Sequence, residues 1–167
     1  VAEGEADDLC VYLVKKRIVW ACMTEDMDMF VYGCQRVLRN FDLEKGTMTL
    51  YSMMDILKNL NMNQYEFRDV CLLAGTDYNR SRYTIYTSMG FFYKYLKRKK
   101  GSISFYDWLK FTKILNSDEV HLLKSSRDIF TKITYNNISL QLTNKRVLKE
   151  EVETYMKKYD INYLTNV

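Results

Sequence analysis

The chain has 167 residues, 47% of them hydrophobic and 28% charged, with a net charge of +4 and no proline. That is an ordinary globular profile, long enough for one domain or one and a half, with a real core. It contains no internal repeat or low-complexity segment, no run approaching the roughly eighteen apolar residues of a membrane span, and too little excess charge to announce nucleic acid from composition alone.

The first helix is predicted over residues 5–16, where Ala6, Leu9, Cys10, Leu13 and Val14 recur at helical spacing. It opens on Glu3-Gly4-Glu5-Ala6-Asp7-Asp8, and four acids in one turn exceed what a helix dipole needs. Residues 18–23, Ile-Val-Trp-Ala-Cys-Met, read as a buried central strand of a parallel sheet. The strand runs into Thr24-Glu25-Asp26-Met27-Asp28, which places two carboxylates at the sheet edge where open α/β folds collect ligands. Acids crowded there repel one another, and a hard divalent cation relieves them.

After Asp28 a short apolar segment ends at Gly33, and residues 35–42 and 47–51 then flank Leu43-Glu44-Lys45-Gly46 as a hairpin. Two helices follow, one capped by Ser52 and one opening near Asn63 and reaching Gly75. Leu73-Ala74-Gly75-Thr76-Asp77-Tyr78 sets a further carboxylate on a glycine turn. Beyond Asp77 helices are expected, including residues 105–115, 117–132 and 146–158. Arg80, Arg82, Lys94, Lys97, Arg98, Lys99 and Lys100 are interleaved there with Tyr83, Tyr86, Phe91, Phe92, Tyr93 and Tyr95, a pattern suited to a phosphate backbone. Acids at one end and this basic block at the other fit a metal-binding end and a phosphate-binding end. Cys10, Cys22, Cys34 and Cys71 form no CxxC, and His121 stands alone among histidines, which argues against zinc and for reduced core thiols in a reducing compartment.

Taken in order, Glu3-Gly4-Glu5-Ala6-Asp7, Thr24-Glu25-Asp26-Met27-Asp28 and Gly75-Thr76-Asp77-Tyr78 resemble three acidic motifs of the flap endonuclease/XPG family of 5′ nucleases, which read approximately E-x-E-A, T-E-D-x-D and L-G-S-D-Y. The resemblance implies an α/β fold: a PIN-like parallel sheet core over residues 1–78, followed by a helical, helix-hairpin type DNA-binding region over 79–167. It implies that Glu3, Glu5, Asp26, Asp28 and Asp77 are ligands for two Mg²⁺ ions, with Mn²⁺ as a substitute, and that these acids serve phosphodiester hydrolysis. Asp7 and Asp8 have no counterpart carried over as ligands. The implied partner is flap, nicked or branched duplex DNA in replication, repair or recombination, with no membrane and with a sliding clamp possible but not indicated. The implied setting is intracellular, the nucleus or a viral replication compartment.

Two departures qualify the likeness. The family carries a preceding half with further metal-binding aspartates, so this chain reads as the internal and C-terminal part, inactive alone. Residues 82–90 lack the paired glycines and the proline of the family's I-x-G-I-G-P-K hairpin, which weakens a K⁺ site and leaves duplex binding to basic side chains. The rival readings are a 5′→3′ exoribonuclease with a related acidic core and a non-catalytic nucleic-acid scaffold of the same fold.

Overall fold

Helix α1 spans Ala6–Lys15 and stops without a glycine. Arg17 takes the left-handed conformation, φ 59°. The Arg17 N–H reaches the Val14 carbonyl at 3.0 Å and the Ile18 N–H reaches Leu13 at 3.0 Å, the paired bonds of a Schellman stop. The structure, a computed structural model, describes residues 5–98, 103–132, 135 and 148–158. Glu3, Lys99 and Lys100 therefore lie outside the described residues.

That helix stop corrects the strand expected over residues 18–23. Ile18 and Val19 are consumed in satisfying the last carbonyls of α1, and only Cys22–Met23 forms strand β1. Nor is the strand central among the described residues. The sheet has three strands in the order β1-β2-β3, which puts β1 at its edge. Strand β1 runs parallel to β2 (Arg36–Asp42), with Cys22 opposite Val37. The expected hairpin closes β2 antiparallel to β3 (Thr47–Ser52), with Val37 opposite Tyr51. Between β1 and β2 the apolar segment after Met27 is a one-turn helix, α2 (Asp28–Tyr32). Gly33 ends it at φ 85°, where a Cβ would also meet the Gln64 side chain at 3.0 Å.

Local chemistry fixes the remaining helices. Ser52 caps α3 (Met53–Leu60), and Asn63 with Glu66 forms a reciprocal capping box on α4 (Gln64–Ala74). After α4 come α5 (Ile85–Arg98), α6 (Phe105–Phe111) and α7 (Ser117–Thr131), the last with a second capping box from Asn116 and Glu119. Helix α8 (Lys149–Lys158) belongs to a separate unit, residues 137–167, while the sheet and α1–α7 belong to residues 1–136.

The core of the larger unit gathers Val11 and Val14 from α1, Phe30 from α2, Val37 from β2 and Leu72 and Leu73 from α4. Phe92 of α5, Tyr106 of α6 and Phe130 of α7 join the same cluster. Helix α4 is its axis, since two of its charged residues are also spent on packing. Arg68 donates from Nε to the Val31 carbonyl at 2.9 Å. Asp69 pairs with Arg127 of α7, whose Nη2 donates to Oδ2 at 2.7 Å. These ties hold the middle of α4 against α2 through Arg68 and against α7 through Asp69. No helix among the described residues is long and apolar enough to cross a membrane.

Candidate functional site

Three chain segments deliver carboxylates to one place. The first is the start of α1, where Glu5 occupies the cap position without a side-chain capping bond and is left exposed. The second is the loop after β1. Its Thr24 N–H continues the sheet by donating to the Leu38 carbonyl at 3.1 Å, and Thr24 Oγ1 accepts from the Asp26 N–H at 3.1 Å. Asp26 Oδ1 in turn accepts from the Asp28 N–H at 2.8 Å, so Thr24 and Asp26 each hold the backbone two residues on.

Glu25 takes no part in the cluster. Its carboxylate accepts from the Asn40 N–H at 2.7 Å and pairs with Arg39 at 3.2 Å, while Arg39 Nη2 also reaches the Glu25 carbonyl at 2.9 Å. Glu25 thus clamps the loop to the hairpin, and Asp26 and Asp28 take no part in that clamp.

The third segment is the turn after α4. Gly75 sits at φ 106°, and a Cβ there would meet Ser81 Cβ at 3.3 Å and the Asn79 carbonyl oxygen at 3.4 Å. Asn79 Nδ2 donates to the Leu72 carbonyl at 2.8 Å and Ser81 Oγ donates to Leu73 at 2.5 Å, so two side chains satisfy the open end of the helix. Thr76 and Asn79 bridge across the turn and present Asp77 and Tyr78 at its tip.

Electrostatics shows the segments meeting. The Asp28 carboxyl is raised to about 6, first by burial and then by the charges of Asp26 and Asp77. The Asp77 backbone N–H donates to it and opposes that rise in part. Asp7 is also raised, by burial and then by Asp26, Glu5 and Asp77. The Tyr78 hydroxyl lies 3.4 Å from that of Tyr32 and feels the charge of Glu5, which helps to raise it. Phe130 packs against both tyrosines, at ring distances of 4.6 and 5.3 Å.

Of the five acids singled out from sequence, Glu5, Asp26, Asp28 and Asp77 therefore share one field, and Glu3 lies outside the described residues. Asp7 joins them although its motif position did not select it. The signal was present in the excess of acids over what one helix N-terminus uses.

The donor set is all oxygen and mutually repulsive, which suits a hard divalent cation. Among the described residues no three carboxylates, thiols or imidazoles stand close enough to hold one ion by themselves. Mg²⁺ does not require that, since it keeps several waters and uses one or two carboxylates together with substrate phosphates. The cysteines offer no alternative chemistry. All four are free thiols, and burial pushes both Cys22 and Cys71 up to about 12.

The basic residues split into two kinds. Arg82 is tied internally, to Glu119, to the Ile114 carbonyl at 3.0 Å and over the Tyr83 ring. Arg80, Lys94, Lys97 and Arg98 are exposed. Lys94, Lys97 and Arg98 share one face of α5 at helical spacing.

Comparison with known proteins agrees with this layout. The family described as the XPG I-region matches residues 1–77. Flap endonuclease 1 of Enterocytozoon bieneusi is 28% identical over 164 residues, covering 93% of this chain and 42% of that protein. Flap endonuclease 1 of Encephalitozoon cuniculi is 39% identical over 83 residues, covering 46% of this chain and 23% of that protein. Among solved structures, the catalytic core of Rad2 matches with a TM-score of 0.68 at 20% identity, over 95% of this chain and 62% of that one. Human GEN1 in complex with Holliday junction DNA matches with a TM-score of 0.64 at 20% identity, over 95% of this chain and 44% of that one. The structural matches establish a shared mixed α/β fold, and the chain spans less than half the length of the relatives matched by sequence.

Proposed function

Because this chain belongs to the flap endonuclease/XPG family, we propose that it is the acid-bearing part of a divalent-metal-dependent, structure-specific 5′ nuclease that hydrolyses phosphodiester bonds in flap or branched DNA. The observation that carries the reading is the meeting of three separate acidic segments, with Asp28 raised by Asp26 and Asp77 and Asp7 raised by Asp26, Glu5 and Asp77. Like charges crowded at one place are costly to keep without a counter-ion, which a purely structural turn does not need.

In this reading Glu3, Glu5, Asp26, Asp28 and Asp77 hold two Mg²⁺ ions, or Mn²⁺ in their place. Bound there, the metals supply a water ionised near neutral pH and relieve charge on the leaving oxygen. The chain's own contribution is placement. The Asp77 backbone stands beside the Asp28 carboxylate, the Glu25–Arg39 clamp fixes the loop carrying Asp26, and Tyr78 stands beside Glu5. Residues 1–78 act as the PIN-like catalytic part and residues 79–167 as the DNA-binding part. Arg80, Lys94, Lys97, Arg98, Lys99 and Lys100 neutralise phosphates. Arg82 contributes less to DNA because its guanidinium is already engaged with Glu119. The 167-residue chain by itself is expected to be inactive, and the setting is replication, repair or recombination in a nucleus or viral replication compartment.

The test is cleavage of 5′-labelled flap, nicked and four-way-junction DNA by the full-length protein with Mg²⁺ or with EDTA. The reading predicts cleavage at the branch in Mg²⁺ and none in EDTA. Equal turnover of unbranched duplex, or cleavage that persists in EDTA, contradicts it.

A further inference from the structure

Two recesses meet at the start of α7. The larger, about 480 Å³, lies between the end of α6 and the first turn of α7, where Lys110, Lys113, Ile114 and Ser117 line it. The smaller, about 150 Å³, is lined by Arg80, Tyr83, Leu122 and Leu123. Arg82, Leu115 and Glu119 line both, so the two form one groove with the Arg82–Glu119 pair at its middle. That middle is internally satisfied. Arg82 Nη2 and the Tyr83 hydroxyl donate to the Ile114 carbonyl at 3.0 and 3.1 Å, and Glu119 also accepts from the Asn116 N–H at 2.7 Å. The ends of the groove differ. Arg80, Lys110 and Lys113 are exposed and, among the described residues, join no ion pair. Asp107, one turn before Lys110, pairs with Lys124 at 3.0 Å. Lys113 holds its place through a left-handed backbone, φ 59°, with its N–H on the Lys110 carbonyl at 3.0 Å. Phe111 beside it is 79% exposed, and Leu122 at the other end is 52% exposed.

We propose that this groove docks a protein partner through an acidic segment whose carboxylates flank an aliphatic or aromatic residue. Charge complementarity carries the choice of partner. Arg80, Arg82, Lys110 and Lys113 face the single carboxylate of Glu119, and that excess of positive charge selects an anionic surface. Ile114, Leu115 and Leu122 lie between the cations, and an apolar strip rimmed by charge is the pattern of a protein interface. Duplex DNA meets only the first requirement. Its phosphates are outermost on a convex cylinder, so it offers Leu122 and Phe111 nothing to bury against, and Glu119 repels a phosphate entering the middle. A peptide segment meets both, with its apolar side chain over Leu115 and Leu122 and its carboxylates on Lys110 and Lys113. Lys110, Lys113 and Leu122 have no part in the proposed nuclease chemistry, so the docking surface stands apart from that reading.

The test is fluorescence anisotropy of the full-length protein with a dye-labelled peptide, Asp-Glu-Asp-Leu-Phe-Asp-Glu-Asp. One control peptide carries Asn and Gln in place of the acids, and a second carries Ser in place of Leu and Phe. The parent should bind the first peptide saturably and both controls more weakly. The Lys110→Ala/Lys113→Gly variant should lose about 3- to 30-fold in affinity, the scale of two partly screened charge pairs. Glycine is chosen at 113 because it keeps the left-handed turn while removing the charge. Leu122→Ser should lose about 10-fold, the scale of one half-buried leucine. All three side chains are exposed, and unchanged thermal unfolding of both variants separates lost docking from lost fold. No saturable binding by the parent, equal binding of the neutral peptide, or unchanged affinity in the lysine variant overturns the proposal. If the lysine variant loses affinity for duplex DNA by the same factor as for the peptide, the groove is a phosphate surface and the proposal fails.

Discussion

Replacing Arg127 by Met is expected to destabilise the larger unit in a way that depends on pH. Arg127 meets Asp69 twice, through Nη2–Oδ2 at 2.7 Å and through Nε–Oδ1 at 2.7 Å, the second being a charge pairing without hydrogen-bond alignment. The guanidinium also lies over the Tyr106 ring at 4.7 Å, and Tyr106 Oη donates to the Asp69 carbonyl at 3.0 Å. Three helices, α4, α6 and α7, are joined at this point. The Asp69 side chain is 13% exposed and that of Arg127 is 29% exposed, so little water can replace the missing partner.

Breaking a buried pair from one side costs about 3–5 kcal/mol, and the partial exposure of Arg127 puts this case at the lower end, about 3 kcal/mol near pH 7.5. Burial already holds Asp69 at about 6, above its ordinary 3.8, although Arg127 pulls the other way. With the folded value above the unfolded one, the stability contributed by Asp69 is present below about 4 and is lost as pH rises through about 6. Without Arg127 the carboxyl rises further, so the variant's penalty is a penalty of ionisation. It should shrink by about 1–2 kcal/mol at pH 5, where the native carboxyl is already largely protonated. Urea unfolding at pH 5 and 7.5 measures both numbers, and the Asp69→Asn/Arg127→Met double variant should recover part of the loss at pH 7.5. A penalty below about 1 kcal/mol, or one identical at the two pH values, refutes this account of how α4 is held.

Alanine at Lys97, Arg98, Lys99 and Lys100 should weaken DNA binding and flatten its salt dependence by about 0.9 in slope for each phosphate these side chains no longer neutralise. Turnover at saturating DNA should be nearly unchanged. Gly75→Ala should cost about 1–3 kcal/mol in thermal unfolding, because φ 106° is a region an L side chain rarely adopts and because Ser81 and Asn79 crowd the added Cβ. Unchanged stability there would mean that the turn carrying Asp77 relaxes without cost. Tyr78→Phe should leave stability within about 1 kcal/mol and slow cleavage, since it removes the hydroxyl that meets Tyr32 and stands beside Glu5. Restoration of its rate by raised Mg²⁺ would mark the hydroxyl as a group that positions Glu5.

What was legible beforehand divides along a physical line. Elements set by local chemistry could be read from the residues alone. The Ser52 and Asn63 caps, the hairpin around residues 43–46 and the Gly75 turn depend on a few side chains acting on their own backbone. The acidic motifs were legible for the same reason, as short patterns of one residue type. The failure at residues 18–23 was a failure of period. A short apolar run fits a buried strand and a helix stop equally well, and the left-handed Arg17 that decides the matter is not a residue type that signals such a stop. The one-turn α2 was hidden likewise, because five residues cannot display a helical period. At the site, the different fates of Glu25, Asp26 and Asp28 depend on Arg39 and Asn40 of β2, whose approach only the folded sheet determines. The recruitment of Asp7 depends in the same way on Asp26 and Asp77 arriving from distant segments.

The central claim is that Asp26 and Asp28 serve metal-dependent cleavage and do not merely shape a loop. It is tested most directly by comparing Asp28→Asn with the parent, both full-length, for Mg²⁺-dependent cleavage and for binding of the same flap DNA. The amide keeps the size and much of the hydrogen bonding of the carboxylate but is a poorer ligand and does not balance metal charge. The account predicts near-complete loss of cleavage, with DNA affinity retained or increased because a repulsive charge beside the phosphates is gone. Normal cleavage by Asp28→Asn in Mg²⁺ would contradict it.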